Sequence, residues 1–226
     1  DFCLSRGLGD VYKRQVWAAV AANKLGRPIK LRLDRDEDFM VTGKRHPFAY
    51  EYDVGFDDTG RITGLKLQMA ANCGFSADLS GPVADRAVFH ADNAYYLSDV
   101  EIASYRCKTN TQSHTAFRGF GGPQGVIVIE AILGDIARAL GRDAQDVRLA
   151  NLYGKDASTG RHVTHYQMAV EDNILHELLP TLEQTSHYRQ RQAEIADWNA
   201  HNTVIKRGMA ITPCLLYTSP SPRDRQ

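Results

Sequence analysis

The sequence predicts an α+β fold, and three observations support this class. Alternating apolar and polar residues indicate strands at Phe48–Phe56 and Val100–Thr109. The segment Asp57–Arg61, "DDTGR", is a hairpin-turn signal that joins the first strand to a partner, "ITGLKLQMAA". Apolar residues at helical spacing follow Pro123 and stop at Gly141. Strands and helices in this mixture predict mixed sheets with packed helices.

The elements before the hairpin are predicted from local signals. The segment Val16–Gly26, "VWAAVAANKLG", predicts a buried helix that ends at Gly26, since Pro28 forbids its continuation. Apolar and basic residues alternate in Ile29–Leu33, "IKLRL", which predicts a half-buried strand. For Asp34–Asp38, "DRDED", a charged turn is favoured over a cation site.

The elements after the hairpin follow the same logic. The stretch "SADLSGP" is predicted to be a loop, and Asp143–Gly154 a helix capped by the Asp143 carboxylate. One or two amphipathic helices are predicted in Glu171–Ala200, with scaffold or subunit packing as their role. The stretch "KRGMAITP", which ends at Pro213, predicts the start of a strand.

Composition narrows the classes of function. The 226 residues carry 27 basic and 27 acidic side chains, a balance that argues against a nucleic-acid or membrane-surface partner. No apolar run approaches the length of a membrane span, so we expect a soluble, cytoplasmic protein. The four cysteines form no CxxC pair, which leaves neither a zinc site nor a disulfide framework indicated. Cys73 and Cys107 are predicted to be small buried residues of strands.

The two ends of the chain differ in character from the rest. Codons can be chosen for Ser5–Gln15, "SRGLGDVYKRQ", whose opposite strand, one base out of frame, encodes the "CLLYTSPSPRD" of Cys214–Asp224. One DNA sequence then explains both ends better than two unrelated polar tails, and it resembles a transposase adapter used in sequencing libraries. We therefore predict that residues 1–15 and 214–226 are adapter-derived and non-native, and that residues 16–213 are a fragment of a longer protein.

The glycine-rich segment Thr115–Gly125, "TAFRGFGGPQG", admits three interpretations. A dinucleotide phosphate loop is disfavoured, because Gln124 occupies the place of the third glycine. A tight loop whose glycines permit positive φ is the simplest explanation. The third is close approach of the main chain to a large ligand, with Arg118 supplying donors and Phe117 or Phe120 a ring for stacking.

This segment resembles the molybdenum hydroxylase family, and within it the xanthine dehydrogenase group. The blocks "GRPIKLRLDRDEDF", "TGKRHPF", "DRAVFHADNAYY", "CKTNTQSHTAFRGFGGPQG" and "NLYG" follow in the family's order. The resemblance implies that residues 16–213 belong to a molybdopterin-binding domain. It implies an oxidoreductase that hydroxylates hypoxanthine and xanthine to urate with oxygen from water. Electrons would pass from molybdenum–molybdopterin through [2Fe–2S] clusters to FAD and NAD.

The resemblance also assigns roles to individual residues. Arg118 and Gly119 match the family's cofactor-binding positions, with Arg118 beside the molybdenum centre. Phe120 matches the ring that sandwiches the purine, and Phe117 is predicted to lie in the core. Arg86 matches an arginine that grips a purine oxygen, although by itself it would pass for a surface residue. Its presence favours a purine over an aldehyde substrate.

Further expectations concern what surrounds these positions. His90 and His114 flank the expected site and are predicted to be packing residues or hydrogen-bond partners. The family's catalytic glutamate is expected beyond Pro213 and its "GGFGGKE"-type block before Val16, so no catalytic residue is assigned and the isolated chain is expected to be inactive. Expected partners are an iron–sulfur and FAD subunit or domain, in a dimer of the complete enzyme. The alternatives are an aldehyde oxidase-type parent and a non-catalytic binding fragment.

Overall fold

The structure of the chain, a computed structural model, describes residues 8–214, with side chains from residue 15 onward. Of the segments predicted to be adapter-derived, residues 1–7 and 215–226 lie outside this range. The boundaries of those segments, at residues 15 and 214, stay a prediction. In chain order the elements are α1 (Leu8–Leu25), α2 (Arg35–Val41), β1 (Phe48–Phe56), β2 (Ile62–Gly74), α3 (Ser80–Phe89), β3 (Val100–Lys108), α4 (Gly122–Leu140), α5 (Ala144–Asn151), α6 (Leu175–Thr185) and α7 (Tyr188–His201), with a 3₁₀ turn at Ala157–Thr159.

The three strands form one sheet in the order β1-β2-β3. The Asp57 N–H donates to the Arg61 carbonyl at 3.0 Å and closes the predicted hairpin turn, and the Asp57 carboxylate accepts from the Thr59 N–H at 2.8 Å. Strands β2 and β3 are parallel, with Leu65 opposite Val100. A parallel neighbour requires a crossover, which α3 supplies by packing against β3. The α+β class and its mixed sheet are confirmed.

The described chain forms two compact units. The first comprises the described residues up to Asp53, together with Leu65–Ala91 and Val100–Val128. Its core is one face of β2, where alternate residues are buried, joined by small residues of α3. The fully buried members are Leu67, Met69, Ala71, Val83, Ala84 and Ala87. Small side chains along α3 allow another segment to approach its main chain closely.

The second unit comprises Val54–Gly64, Asp92–Asp99 and the described residues from Ile129 onward. Its core is the apolar stripe of α4, with α5 and a Tyr95–Leu152 bridge. Asp143 caps α5 as predicted, since its carboxylate accepts from the Gln145 N–H at 2.7 Å. The amphipathic tail forms two helices, and α6 packs against α7. Among the described residues, no helix combines the length and the apolar character needed to cross a bilayer.

The predicted charged turn at Asp34–Asp38 is wrong, because these residues open helix α2. The Asp34 carboxylate accepts from the Glu37 N–H at 2.8 Å, while Glu37 accepts from the Asp34 N–H at 3.3 Å. This reciprocal capping box satisfies two N–H groups that would otherwise lack partners at a helix N-terminus. The "DRDE" spacing carried this signal, and the high charge concealed it.

The helix predicted at Val16–Gly26 forms within α1, but the prediction that it is buried is wrong, since Val16, Trp17 and Val20 are 60%, 44% and 54% exposed. Other predictions also fail. Ile29–Leu33 and Lys206–Pro213 form no strand, because neither pairs with a strand in the described chain. The stretch "SADLSGP" is loop only at its start, since α3 already begins at Ser80. Cys73 is buried on β2 as expected, whereas Cys107 is exposed on β3, where the strand's last residues face solvent.

Candidate functional site

The main chain turns sharply at residues 117–121, which we call the glycine corner. The Phe120 N–H donates to the Phe117 carbonyl at 2.7 Å and closes the turn. Three consecutive residues then have positive φ: Gly119 at 92°, Phe120 at 48° and Gly121 at 103°. Glycine adopts such angles freely, but a bulky Phe does so at a cost of about 1–3 kcal/mol, and such strain concentrates at functional sites.

Two glycines of the segment contact the main chain of α3. A Cβ added at Gly121 would lie 2.0 Å from the Val83 carbonyl oxygen. One added at Gly125 would lie 2.3 Å from the Ala87 carbonyl oxygen and 2.8 Å from the His90 carbonyl carbon. Real Cβ atoms cannot approach so closely, so these positions accept only glycine. The bare main chain here serves helix packing, and it brings α3 against the glycine corner.

Arg86 lies on α3, within the stretch that this packing fixes. The side chain is half-buried, and its Nε donates to His90 Nε2 at 3.3 Å. The His90 ring in turn lies 3.5 Å from where a Cβ on Gly122 would be. His90 therefore acts as a hydrogen-bond partner and packing residue, as the sequence predicts. Within the first unit, helix α3, which carries Arg86, therefore packs against the glycine segment that carries Phe120.

Arg118 is exposed at the corner, while Gly119 and Phe120 are half-buried. Within residues 8–214, neither the Arg118 guanidinium nor the N–H groups of Arg118 and Gly119 have a hydrogen-bond partner. The corner therefore presents a cation and two main-chain donors, which suits an anionic or oxygen-rich ligand.

The residues that hold the glycine corner were not predicted from the sequence. Arg45 Nη2 donates to the Arg118 carbonyl at 2.6 Å, and the Arg45 guanidinium lies 4.4 Å from the centre of the Phe117 ring. Arg45 Nη1 also reaches the buried Gln124 Oε1 at 3.4 Å, and the Gln124 carbonyl accepts from the Tyr50 hydroxyl at 2.8 Å. Phe117 is thus half-buried beside a cation and is not part of the core. The block "TGKRHPF" held Arg45, but its composition assigned no partner.

A pair of buried histidines lies in the same unit. His46 and His114 have ring centres 5.9 Å apart, and His46 Nε2 bonds the Ser80 hydroxyl at 2.8 Å. In the described chain, Nδ1 of neither ring has a hydrogen-bond partner. Burial first, and then the neighbouring His114, lower the pKa of His46 to about 4, despite an opposing effect of Asp78. Burial also lowers the pKa of His114. Both rings are therefore neutral at physiological pH.

We expect this pair to make the fold acid-sensitive. The folded pKa of His46 lies below its ordinary value of 6.5, so the unfolded chain binds the proton first. The free energy of unfolding should therefore fall by about 2 to 3 kcal/mol between pH 6.5 and pH 4, and level off below that. Urea denaturation across this range measures the effect, and His46→Gln should flatten the dependence.

His201→Gln is the matched control for this prediction. His201 ends α7 and its side chain is exposed, so its removal should leave the slope unchanged. An equal slope in His46→Gln and the unaltered chain would contradict the assignment.

Comparison with known proteins adds to this geometry. The sequence model of the molybdopterin cofactor-binding domain matches residues 8–152, more than half of the chain. The chain belongs to this molybdopterin cofactor-binding domain family. The resemblance inferred from the glycine segment and its flanking blocks is thereby confirmed at the level of the family.

Curated relatives of this molybdopterin-binding domain are xanthine dehydrogenases. The chain is 44% identical over 195 residues to the xanthine dehydrogenase of Drosophila subobscura, with 86% of the chain covered. The xanthine dehydrogenase/oxidase of Gallus gallus is also 44% identical over 86% of the chain. The xanthine dehydrogenase of Dictyostelium discoideum is 40% identical over 93%. The chain spans only 14% of the length of the first of these relatives.

Solved structures show the same fold for this molybdopterin-binding domain. An aldehyde oxidoreductase from Desulfovibrio desulfuricans superposes with a TM-score of 0.67 at 23% identity, over 79% of this chain and 19% of its own. A quinoline 2-oxidoreductase from Pseudomonas putida also gives 0.67, at 21% identity over 83% of this chain and 24% of its own. At these identities the likeness establishes the fold, and the substrate must be argued from the side chains.

Proposed function

We propose that this chain is the part of a xanthine dehydrogenase that orients a purine beside the molybdenum cofactor. The parent enzyme would hydroxylate hypoxanthine and xanthine to urate with oxygen from water. The observation that carries this proposal is the 44% identity to xanthine dehydrogenases across 86% of the chain. It is supported by the placement of Arg86 on the helix that packs against the glycine corner.

The glycine corner fits the molybdenum–molybdopterin group. Among the described residues no three His, Cys, Asp or Glu side chains gather in a way that could hold a metal ion. The Arg118 guanidinium and the N–H groups of Arg118 and Gly119 offer donors that no acceptor within residues 8–214 uses. When bound, the group supplies the oxygen transferred to the substrate and accepts its electrons. Arg118 and Gly119 would hold it, with Arg118 beside the metal.

Arg86 would bind an oxygen atom of the purine. Nucleophilic attack on the ring places negative charge on its nitrogen and oxygen atoms, and a fixed guanidinium stabilises that charge more in the transition state than in the ground state. The Arg86–His90 hydrogen bond restricts the guanidinium to one region of α3. An aldehyde has no distant oxygen for such a contact.

Phe120 would stack on the purine ring. Its positive φ, between two glycines with positive φ, sets the direction of its side chain through strained main chain. A ring held in one orientation loses little entropy when a flat heterocycle stacks on it. The strain at Phe120 thus has a functional explanation.

The remaining parts of the proposal concern the parent protein. Residues 16–213 would be its native portion, and electrons would leave through [2Fe–2S] clusters to FAD and NAD on a partner subunit or domain. The complete enzyme would be a cytoplasmic dimer.

A substitution at Arg86 tests the proposed substrate. In a chimera, residues 16–213 replace the matching segment of the Gallus gallus xanthine dehydrogenase/oxidase. Arg86→Met should lower kcat/KM for xanthine about 100-fold, the typical loss when one transition-state donor is removed. Turnover of a small aldehyde should change less than threefold, because an aldehyde makes no contact with Arg86. Both rates are measured on enzyme with equal molybdenum content.

Arg106→Met is the control, since Arg106 is exposed on β3 and pairs only with Asp85 among the described residues. Its rates should match those of the unaltered chimera. An equal loss for xanthine and aldehyde in Arg86→Met would mean that Arg86 acts on structure or cofactor loading. An unaltered chimera that oxidises aldehydes but not xanthine would favour the aldehyde oxidase alternative.

A further inference from the structure

The contacts of Arg45 converge on the glycine corner from one side. Its guanidinium donates to the Arg118 carbonyl at 2.6 Å, reaches Gln124 Oε1 at 3.4 Å, and lies 4.4 Å from the Phe117 ring centre. Three different chemical groups thus meet one planar fork. Arginine suits this arrangement, because its donors have fixed directions and its faces stack on aromatic rings.

Arg45 forms no ion pair with any described carboxylate. The side chain is half-buried, and burial lowers the pKa of its guanidinium. When a cation is partly removed from water and has no carboxylate partner, its stabilisation comes from the few groups it contacts. The Arg118 carbonyl is the nearer of these two acceptors, at 2.6 Å against 3.4 Å for Gln124 Oε1.

Fixing the Arg118 carbonyl also fixes the Gly119 N–H. Both belong to one planar, trans peptide unit, so they point in opposite directions. A hydrogen bond that holds the carbonyl towards Arg45 therefore aims the Gly119 N–H away from Arg45. This N–H is one of the donors without a partner in the described chain.

The neighbouring strain explains why such a clamp is needed. Gly119 adopts its φ of 92° freely, whereas the φ of 48° at Phe120 is strained, and its local support is the turn bond from the Phe120 N–H to the Phe117 carbonyl. Without an external contact, the 118–119 peptide could rotate and relax Phe120 towards an ordinary conformation. Gln124 adds rigidity, because its carbonyl is bound by Tyr50 and its Nε2 lies 3.4 Å from the His46 carbonyl.

We propose that Arg45 is a positioning residue that clamps the Arg118–Gly119 peptide, so that the Gly119 N–H and the Phe120 ring face the ligand. Arg45 itself touches neither cofactor nor substrate. The clamp is a property of the chain alone, whereas its consequence for turnover rests on the proposed function.

Hydrogen exchange measured by mass spectrometry on the 226-residue chain tests the clamp. In Arg45→Met, amides of residues 115–125 should exchange at least about 10-fold faster, the cost expected for losing a hydrogen bond with a charged donor. Exchange of Ile129–Ala137 in α4 should stay within twofold and so report an intact fold. Arg45→Lys should give an intermediate rate, because lysine keeps the charge but loses the fork.

Arg138→Met is the matched control, since Arg138 is an exposed arginine of α4 paired with Asp135. It should leave residues 115–125 unchanged. Unchanged exchange of this segment in Arg45→Met would overturn the clamp. Should that variant fail to fold, Arg45→Lys decides by the same comparison, since it too must accelerate only residues 115–125.

Measurements on the chimera separate the structural clamp from its effect on turnover. There, Arg45→Lys should lower kcat for xanthine about 10-fold with little change in KM, because the donors are misaligned while the purine-binding Arg86 is intact. Parallel loss of molybdenum content would assign the effect to cofactor binding by the same corner. An unaltered chimera without purine turnover would refute the proposed function and leave the exchange test valid. Unchanged kcat and molybdenum content in Arg45→Lys would refute the functional role.

Discussion

Gly125→Ala is expected to destabilise the chain by about 3 to 4 kcal/mol, although it adds a single methyl group. That methyl would lie 2.3 Å from the Ala87 carbonyl oxygen and 2.9 Å from the His90 carbonyl oxygen, and both belong to main chain that cannot rotate away. Helices α3 and α4 would have to separate there, so the overpacking cost should exceed the usual range of about 1–3 kcal/mol. Urea denaturation at pH 7.5 measures the loss.

Gly134→Ala provides a control within the same helix. A Cβ at Gly134 would meet only the flexible Arg138 Nη1 at 3.5 Å. Because alanine is the better helix former, this variant should be as stable as the unaltered chain or up to about 1 kcal/mol more stable. Equal stabilities of the two variants would show that Gly125 does not pack against α3.

The second large effect is expected at a buried ion pair in the second unit. Arg148 Nε donates to Glu130 Oε2 at 2.7 Å, and the two side chains are only 9% and 13% exposed. Tyr95 and Asn93 donate to the other Glu130 oxygen at 2.5 and 3.2 Å. Burial, and then Glu130, raise the pKa of Tyr95, which keeps its hydroxyl a donor. The Glu130 carboxylate is thus fully used.

Arg148→Met should lower the free energy of unfolding by about 3 to 5 kcal/mol. It leaves Glu130 buried without its cation, and an unpaired buried charge costs far more than a lost surface pair. Glu130→Gln in the same chain should restore part of the loss, because the neutral amide still accepts from Tyr95. A double-mutant cycle by urea denaturation measures this coupling.

Arg138→Met tests the opposite case, since Arg138 and Asp135 form an exposed pair on the same helix, with side chains 72% and 43% exposed. Its loss should stay below about 0.5 kcal/mol. Additive effects of Arg148→Met and Glu130→Gln would contradict the buried pair.

Local signals predicted much of the fold. The "DDTGR" turn, the alternation in β1 and β3, and the Asp143 cap each act within a few residues, and the structure confirms them. Predictions of secondary structure failed where the outcome depends on pairing strands or hydrogen-bond partners. The alternation in Ile29–Leu33 met no neighbouring strand, and the charge of Asp34–Asp38 hid a capping box.

The residues of the candidate site likewise fall into those that a local motif predicts and those that long-range contacts determine. Residues of the contiguous glycine segment, among them Arg118 and Phe120, could be selected from the sequence because their motif is local. The roles of Gly121 and Gly125 in packing against α3 could not, since they depend on a helix more than 30 residues away. Arg45 was invisible for a similar reason, because its partner Arg118 lies 73 residues away. Long-range contacts carry no signature in composition or spacing.

The most direct test of the central claim is a crystal structure of the chimera with xanthine bound beside the molybdenum cofactor. The account predicts the Arg86 guanidinium within hydrogen-bond distance of a purine oxygen, the Phe120 ring stacked on the purine, and the Gly119 N–H directed at the cofactor. A purine bound away from both Arg86 and Phe120, or side chains of these residues in separate clefts, would contradict it.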